Sequence, residues 1–333
     1  EANDLIAIYF LFPGGEDAPN DRRSDGVYDN RGRNSILALR DVIRFAAGEL
    51  ADNRNRTIDD IVGVPVIHDN IGLMGKSNSG NIITAVAALH GSELVGRLRY
   101  LIQWEPPVSS QIAVRDLGRP LLQPGQPYQG EYENPRRLGY GQLAIPVDFG
   151  DLAHDPSSAI YPVFHDGNGD NRYTTVARPG DGAPTPDLDL DGILELEEDF
   201  PLDSYPSTDG TVNYSRPVTH ELLARDVFDG GWPDGTASPD EATAYWDLRE
   251  AVRLLPQALA QLPDLEGMIL ASVRDHVQAP IDKPHIRQAF EAWRSSGTWV
   301  QINPDPGYLI AVDSQLEGRM DLPANHPNQP PPS

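Results

Sequence analysis

The sequence predicts an α/β fold: a mainly parallel sheet flanked by helices and interrupted by a long irregular insertion. Strand-length apolar runs alternate with helical segments up to residue 106, the rhythm of a parallel sheet. That rhythm fails over roughly 107–235, where Pro, Gly, Asp and Tyr abound, and it returns after residue 262 as strand, helix and strand. The expectation is one interrupted domain, with a core at 1–106 and 263–326, a cap insertion at 107–262, and a frayed tail at 327–333.

Taken in order, 5-LIAIYFLF-12 is rich in β-branched and aromatic residues and closes at Pro13-Gly14-Gly15, which predicts a buried strand ending in a glycine loop. Residues 34–49 place Ile36, Leu37, Leu39, Val42, Ile43 and Phe45 largely on one helical face. The stretch 71-IGLMG-75 predicts a strand, 81-NIITAVAALHG-91 a helix ending at glycine, and 97-RLRYLIQW-104 a further strand. Residues 238–262 predict a helix with Ser238 as N-cap, Pro239 at its first position and Glu241 completing a capping box. Strand 267–273, helix 284–296 and strand 298–302 follow.

The chain of 333 residues can bury a substantial core. No apolar run reaches the roughly 18–20 residues of a spanning helix, so no membrane span is expected. Fifty acidic residues face 26 basic ones, and Lys76 and Lys283 are the only lysines. A formal charge of −24 repels nucleic acid and anionic membranes. Half of that charge lies in 151–210, where fourteen acids face Arg172 and Arg178, which points to cation binding there. The absence of cysteine removes disulfides, thiolate metal sites and cysteine catalysis. The opening EANDLIAIYF has no basic n-region or cleavage-type site, so the expectation is that any export signal has already gone or never existed.

The stretch 75-GKSNSG-80 raises two incompatible chemistries. A phosphate-binding loop needs a glycine five positions before Gly75, where Asn70 stands, and the apolar IGLM between them reads as strand, not loop. A nucleophile turn needs small residues around a serine held sharply between strand and helix. Gly75, Ser77, Ser79 and Gly80 meet that requirement, although serine also commonly caps a helix.

On these residues the chain resembles the α/β-hydrolase superfamily over most of 5–105 and 265–326. FPGG looks like the family's oxyanion loop, 29-DNRGRN-34 like its Arg-Gly turn before a helix, and GKSNSG like its nucleophile elbow. Ser79 replaces the commoner glycine, the strands that usually precede the oxyanion strand are absent, and the cap is long and acidic. The family order of nucleophile, acid and histidine implies Ser77, Asp275 after the late strand, and His326 as the one histidine left after the last strand. Glu105 is the reserve acid. The implied oxyanion donors are the N–H of Asn78 and an N–H in the Phe12–Gly15 loop, at Gly14 or Gly15; those glycines could equally form a plain tight turn.

Within the insertion, 187-DLDLDGILELEE-198 matches the calcium loop D-x-D-x-D-G-x5-E. Its ligands would be Asp187, Asp189, Asp191, the Ile193 carbonyl and Glu198. Pro184 and Pro186 argue against an incoming helix. The cluster 166-DGNGDN-171 repeats half the pattern through Asp166, Asn168 and Asp170, as a second site, as a donor of ligands to the first, or as a metal-free turn. Calcium at millimolar concentration is an extracellular condition, which favours secretion.

The expected activity is that of a secreted serine hydrolase that cleaves small or polymeric carboxylic esters through an acyl-enzyme, with structural Ca2+ and no organic cofactor. A peptidase with the same triad is the alternative, and an inactive calcium-dependent binding or structural protein is the rival from another class. Trp104 and Trp232 are candidates for an acyl pocket or for core.

Overall fold

This computed structural model describes residues 5–104, 106, 151–158, 162–190, 197–202, 204–228, 230–271 and 284–303. Its first elements are a short antiparallel pair, β1 (Glu16–Asp17) and β2 (Arg22–Arg23), then α1 (Arg33–Ala46) and α2 (Ile58–Val62). β3 (Ile71–Lys76), α3 (Asn78–Leu94) and β4 (Leu98–Trp104) follow. The inserted stretch contributes β5 (Leu152–His154), β6 (Val163–His165), β7 (Val176–Ala177), β8 (Pro184–Thr185), β9 (Phe200–Pro201), β10 (Ser204–Pro206) and β11 (Val212–Tyr214), with α4 (Arg216–Ala224) and α5 (Pro239–Asp247). α6 (Ala251–Gln261), β12 (Glu266–Leu270), α7 (Pro284–Ser295) and β13 (Val300–Ile302) complete the described chain.

The four strands β3, β4, β12 and β13 form one wholly parallel sheet in that spatial order. Parallel strands need both faces covered. α3 is buried almost all round through Ile82, Ile83, Ala85, Val86, Ala87 and Ala88, and it packs against α1, α6, β3 and β4. Its alanines let those neighbours approach closely. α1 buries a single stripe, Ile36, Leu39 and Ile43. Leu254, Leu255, Ala258 and Leu259 of α6 and Ile286, Phe290 and Trp293 of α7 enter the same core.

Just beyond the carboxyl end of α1, Glu49 pairs at 3.0 Å with Arg97, which immediately precedes β4. α1 therefore ends where the strands begin, and its amino end lies at the carboxyl end of the sheet.

Two sequence expectations are corrected. Residues 5–12 form no strand. Leu5 is 70% and Tyr9 90% exposed, and only Phe10 and Phe12 reach the core. Without ladder partners an apolar run does not become a strand, and β3 is left as an edge of the described sheet. The helix expected over 238–262 is two helices, broken at Leu248–Glu250, because Arg249 there turns inward to bond backbone carbonyls of the turn before α1. The N-cap reading holds: Ser238 and Glu241 form the capping box, with Pro239 at the helix start.

The insertion has its own small core. β5, β6 and β9 form an antiparallel sheet, β7–β8 and β10–β11 form hairpins, and Phe164, Tyr214, Val218, Leu222 and Phe228 are buried among them. It is tied to the core by Arg216, which bonds Glu250 at the start of α6 at 2.6 Å as well as Asp247 of α5 within the insertion, and by the Asn30 amide, which donates to the Pro206 carbonyl.

Trp293 packs flat against Gly267 of β12 and donates to Gln103 of β4 at 3.4 Å. Gln103 in turn donates to Thr84 of α3 at 2.7 Å. A Cβ at Gly267 would sit 2.7 Å from the Trp293 ring. Gly267→Ala should therefore destabilise the protein by about 1–3 kcal/mol through overpacking, read by urea denaturation; an unchanged midpoint would show that the ring can move aside.

Candidate nucleophile turn and acidic clusters

Ser77 is the single residue between β3 and α3, and its backbone stands at φ 53°, ψ −126°. Such a conformation costs a non-glycine residue about 1–3 kcal/mol unless its surroundings over-determine it. Here they do. The Ser77 amide donates to the Trp104 carbonyl at 2.8 Å, which ties the turn to the end of β4, and the Gly80 amide donates to the Ser77 carbonyl at 2.8 Å.

The flanking glycines are required by space. A Cβ on Gly75 would collide with the carbonyl of Ser79 and stand 2.7 Å from the Gly80 nitrogen. One on Gly80 would stand 2.5 Å from the Pro106 Cβ. The Ser77 side chain makes no capping hydrogen bond, so the helix-cap reading of this serine does not describe it. Its hydroxyl is exposed, and no hydrogen bond to it occurs among the described residues. Asn78 opens α3, so its N–H has no helical acceptor and is available.

Asp275, His326 and Glu105 lie outside the described residues. Gly14 and Gly15 are described, and their amides are already engaged. Gly14 donates to the Asp25 carbonyl at 3.1 Å, and Gly15 donates to the Phe12 carbonyl at 2.8 Å and to the Ser24 hydroxyl at 2.9 Å. They close a tight turn, so neither amide is free as the oxyanion donor that the resemblance implies. Trp104 is partly exposed with the Lys76 ammonium 4.7 Å above its ring, whereas Trp232 packs on Phe228 and donates to the Thr236 carbonyl.

Two groups of carboxylates gather in the insertion. Asp187, Asp189 and Glu198 place oxygens all within 4.8 Å of one another. Glu198 folds back on the loop and accepts from the Leu188 amide at 2.6 Å. Asp191 and Ile193 lie outside the described residues. The second group is Asp166, Asp170 and Asp199, with the same spacing. Asp166 organises its turn by accepting from the amides of Gly169, Asp170 and Asn171 at 2.8–3.1 Å. Asn168 spends its side chain within the turn, donating to Thr174 and accepting from the Asp170 amide.

Asp199 was not legible from the motif. It is fully buried, accepts from Gly167 and Thr174, and its carboxyl is raised above the ordinary value by burial first and then by Asp166 and Asp170. Glu198 and Asp199 are consecutive yet belong to different groups, so one peptide unit joins the two. Both are all-oxygen donor sets, suited to a hard cation. Either group could hold a metal ion.

Comparison with protein-family models, with curated proteins and with solved structures returned no match.

Glycine adopts the Ser77 conformation without strain. Ser77→Gly should raise stability by about 1 kcal/mol in chemical denaturation, after glycine's own entropic cost is taken off; a destabilised variant would show that the serine is not strained.

Proposed function

We propose that the chain is a serine hydrolase of the α/β-hydrolase type whose insertion is braced by calcium. The observation that carries this reading is the Ser77 backbone: strained, wedged between two space-limited glycines, and exposing its hydroxyl at the carboxyl end of β3. Topology supports it. β3, β4, β12 and β13 are parallel, so β12 and β13, which precede Asp275 and His326 in sequence, end at the same side of the sheet as β3.

In this reading the Ser77 Oγ attacks an acyl carbonyl as His326 takes its proton and Asp275 orients the imidazole. The Asn78 N–H faces the developing oxyanion, an interaction of roughly 3 kcal/mol. His326 then returns the proton to the leaving group, and water releases the acyl-enzyme. Carboxylic esters are the first substrate class and peptides the second. Calcium would be held by Asp187, Asp189 and Glu198, with Asp166, Asp170 and Asp199 as a second site, and would offset the repulsion of carboxylates gathered in a segment with little apolar core. Millimolar calcium is an extracellular condition, which suits a secreted protein.

A second reading, a cation-binding protein without hydrolytic activity, has the more direct support among the described residues. Its carboxylates gather within 4.8 Å of one another, whereas the Ser77 hydroxyl has no partner among the described residues.

A fluorophosphonate probe separates the two. The hydrolase reading expects labelling of the intact protein that is lost in Ser77→Ala; no labelling, or equal labelling of the variant, sinks it. Independently, calcium added to chelator-treated protein should raise the melting temperature by several degrees. Asp199→Asn should weaken calorimetric calcium uptake by about tenfold, because one ligand charge is gone. No uptake by the parent protein would remove calcium from the proposal.

A further inference from the structure

The turn ahead of α1 buries two arginines beside a single carboxylate. Arg249 is fully used: Nε donates to the Asn30 carbonyl at 2.7 Å, Nη1 to Tyr245 at 2.6 Å and Nη2 to Asp29 at 2.7 Å. Its guanidinium also lies 3.6 Å over the Tyr245 ring. The Asp29 carboxylate is used as well, accepting from the amides of Gly32, Asn34 and Ser35 and from the Ser35 hydroxyl at 2.5–3.4 Å.

Arg31 stands among these groups without an acceptor. Its side chain is only 4% exposed, its Nε is buried with no hydrogen-bond partner, and it forms no ion pair among the described residues. Its Cζ lies 5.9 Å from the centroid of the Tyr205 ring. The Tyr245 hydroxyl is also buried without a hydrogen-bond partner, and the Arg31 charge acts on both Tyr245 and Arg249. Burial, with Arg31 also against it, holds the Arg249 guanidinium below its ordinary value. A buried charged N–H with no acceptor, as at the Arg31 Nε, is costly for a fold to leave unmet.

We propose that Arg31 binds the carboxylate of a small monoanionic ligand. The charges set the class: two guanidinium ions against the Asp29 carboxylate leave one positive charge, which one monoanion balances. The planar fork of Arg31 matches a carboxylate edge, and the amino end of the 14-residue α1 adds partial positive charge. A phosphate dianion would exceed that charge and approach a chain of net −24. The site lies at the carboxyl end of the sheet, the end that carries Ser77, yet it does not depend on Ser77 being a nucleophile.

The test is a titration of the full chain with acetate against equal chloride, with arginine 15N-labelled so that Nε–H signals are followed, and with melting temperature as the second readout. Arg31→Asn assigns the signal and removes the guanidinium. Asparagine accepts the left-handed φ of 67° at this position, so the turn is kept. The Arg31 Nε–H should shift saturably, with half-saturation on the order of 1–10 mM. Arg31→Asn should lose the acetate stabilisation while melting no lower than the parent without acetate. Ser77→Ala should bind acetate as the parent does, which keeps this result separate from the fate of the hydrolase reading. Inorganic phosphate should bind about tenfold more weakly than acetate. The proposal is overturned by the absence of a saturable shift up to roughly 100 mM acetate, by equal acetate stabilisation in Arg31→Asn, or by phosphate binding tighter than acetate. A variant that melts well below the parent, with the parent unmoved by acetate, would mark Arg31 as a packing residue and overturn it too.

Discussion

The close approach of α3 to β3 is the constraint on which the rest of this protein depends. Gly75 and Gly80 leave no room for a Cβ, and the alanines of α3 let the helix settle between α1, α6 and the sheet. A helix buried on nearly every side cannot shift without opening the core on all of them. The single residue joining it to β3 must therefore absorb the whole change of direction, and Ser77 does so at φ 53°. The strain at that serine follows from the packing of apolar groups around it.

The insertion is held by a different kind of force. Its strands are two or three residues long, and polar contacts do much of the work. Asp166 and Asp199 order their loops by accepting backbone amides, and the carboxylates gather within 4.8 Å. Burial first, and then the neighbouring Asp166 and Asp170 carboxylates, push the Asp199 carboxyl up, so gathering these charges is costly. A cation at either group would turn that cost into cohesion.

Core and insertion meet through arginines. Arg216 closes on Glu250 and Asp247, while Arg249 breaks the α5–α6 connection to satisfy carbonyls of the turn before α1. Gly32 is required there, since a Cβ would strike the Arg249 guanidinium. The same turn carries Arg31, so one short stretch caps α1, anchors the insertion and presents a buried charge.

The sequence by itself determined the elements with strong local signals. β3, α3, β4, β12, α7 and β13 follow from apolar periodicity, and the start of α5 follows from Ser238, Pro239 and Glu241, because hydrophobic spacing and capping act over a few residues. The spacing of small residues around Ser77 was equally legible, since it reports a local steric demand. Only the tertiary structure decided that 5–12 stays unpaired, since strand formation needs a neighbour that the run itself does not encode. It alone joined Asp199 to Asp166 and Asp170, and set Arg249 against the turn of Arg31, some 220 residues away in the chain. Charge and hydrogen-bond complementarity act between groups that are close in space, and distance along the chain carries almost no record of them.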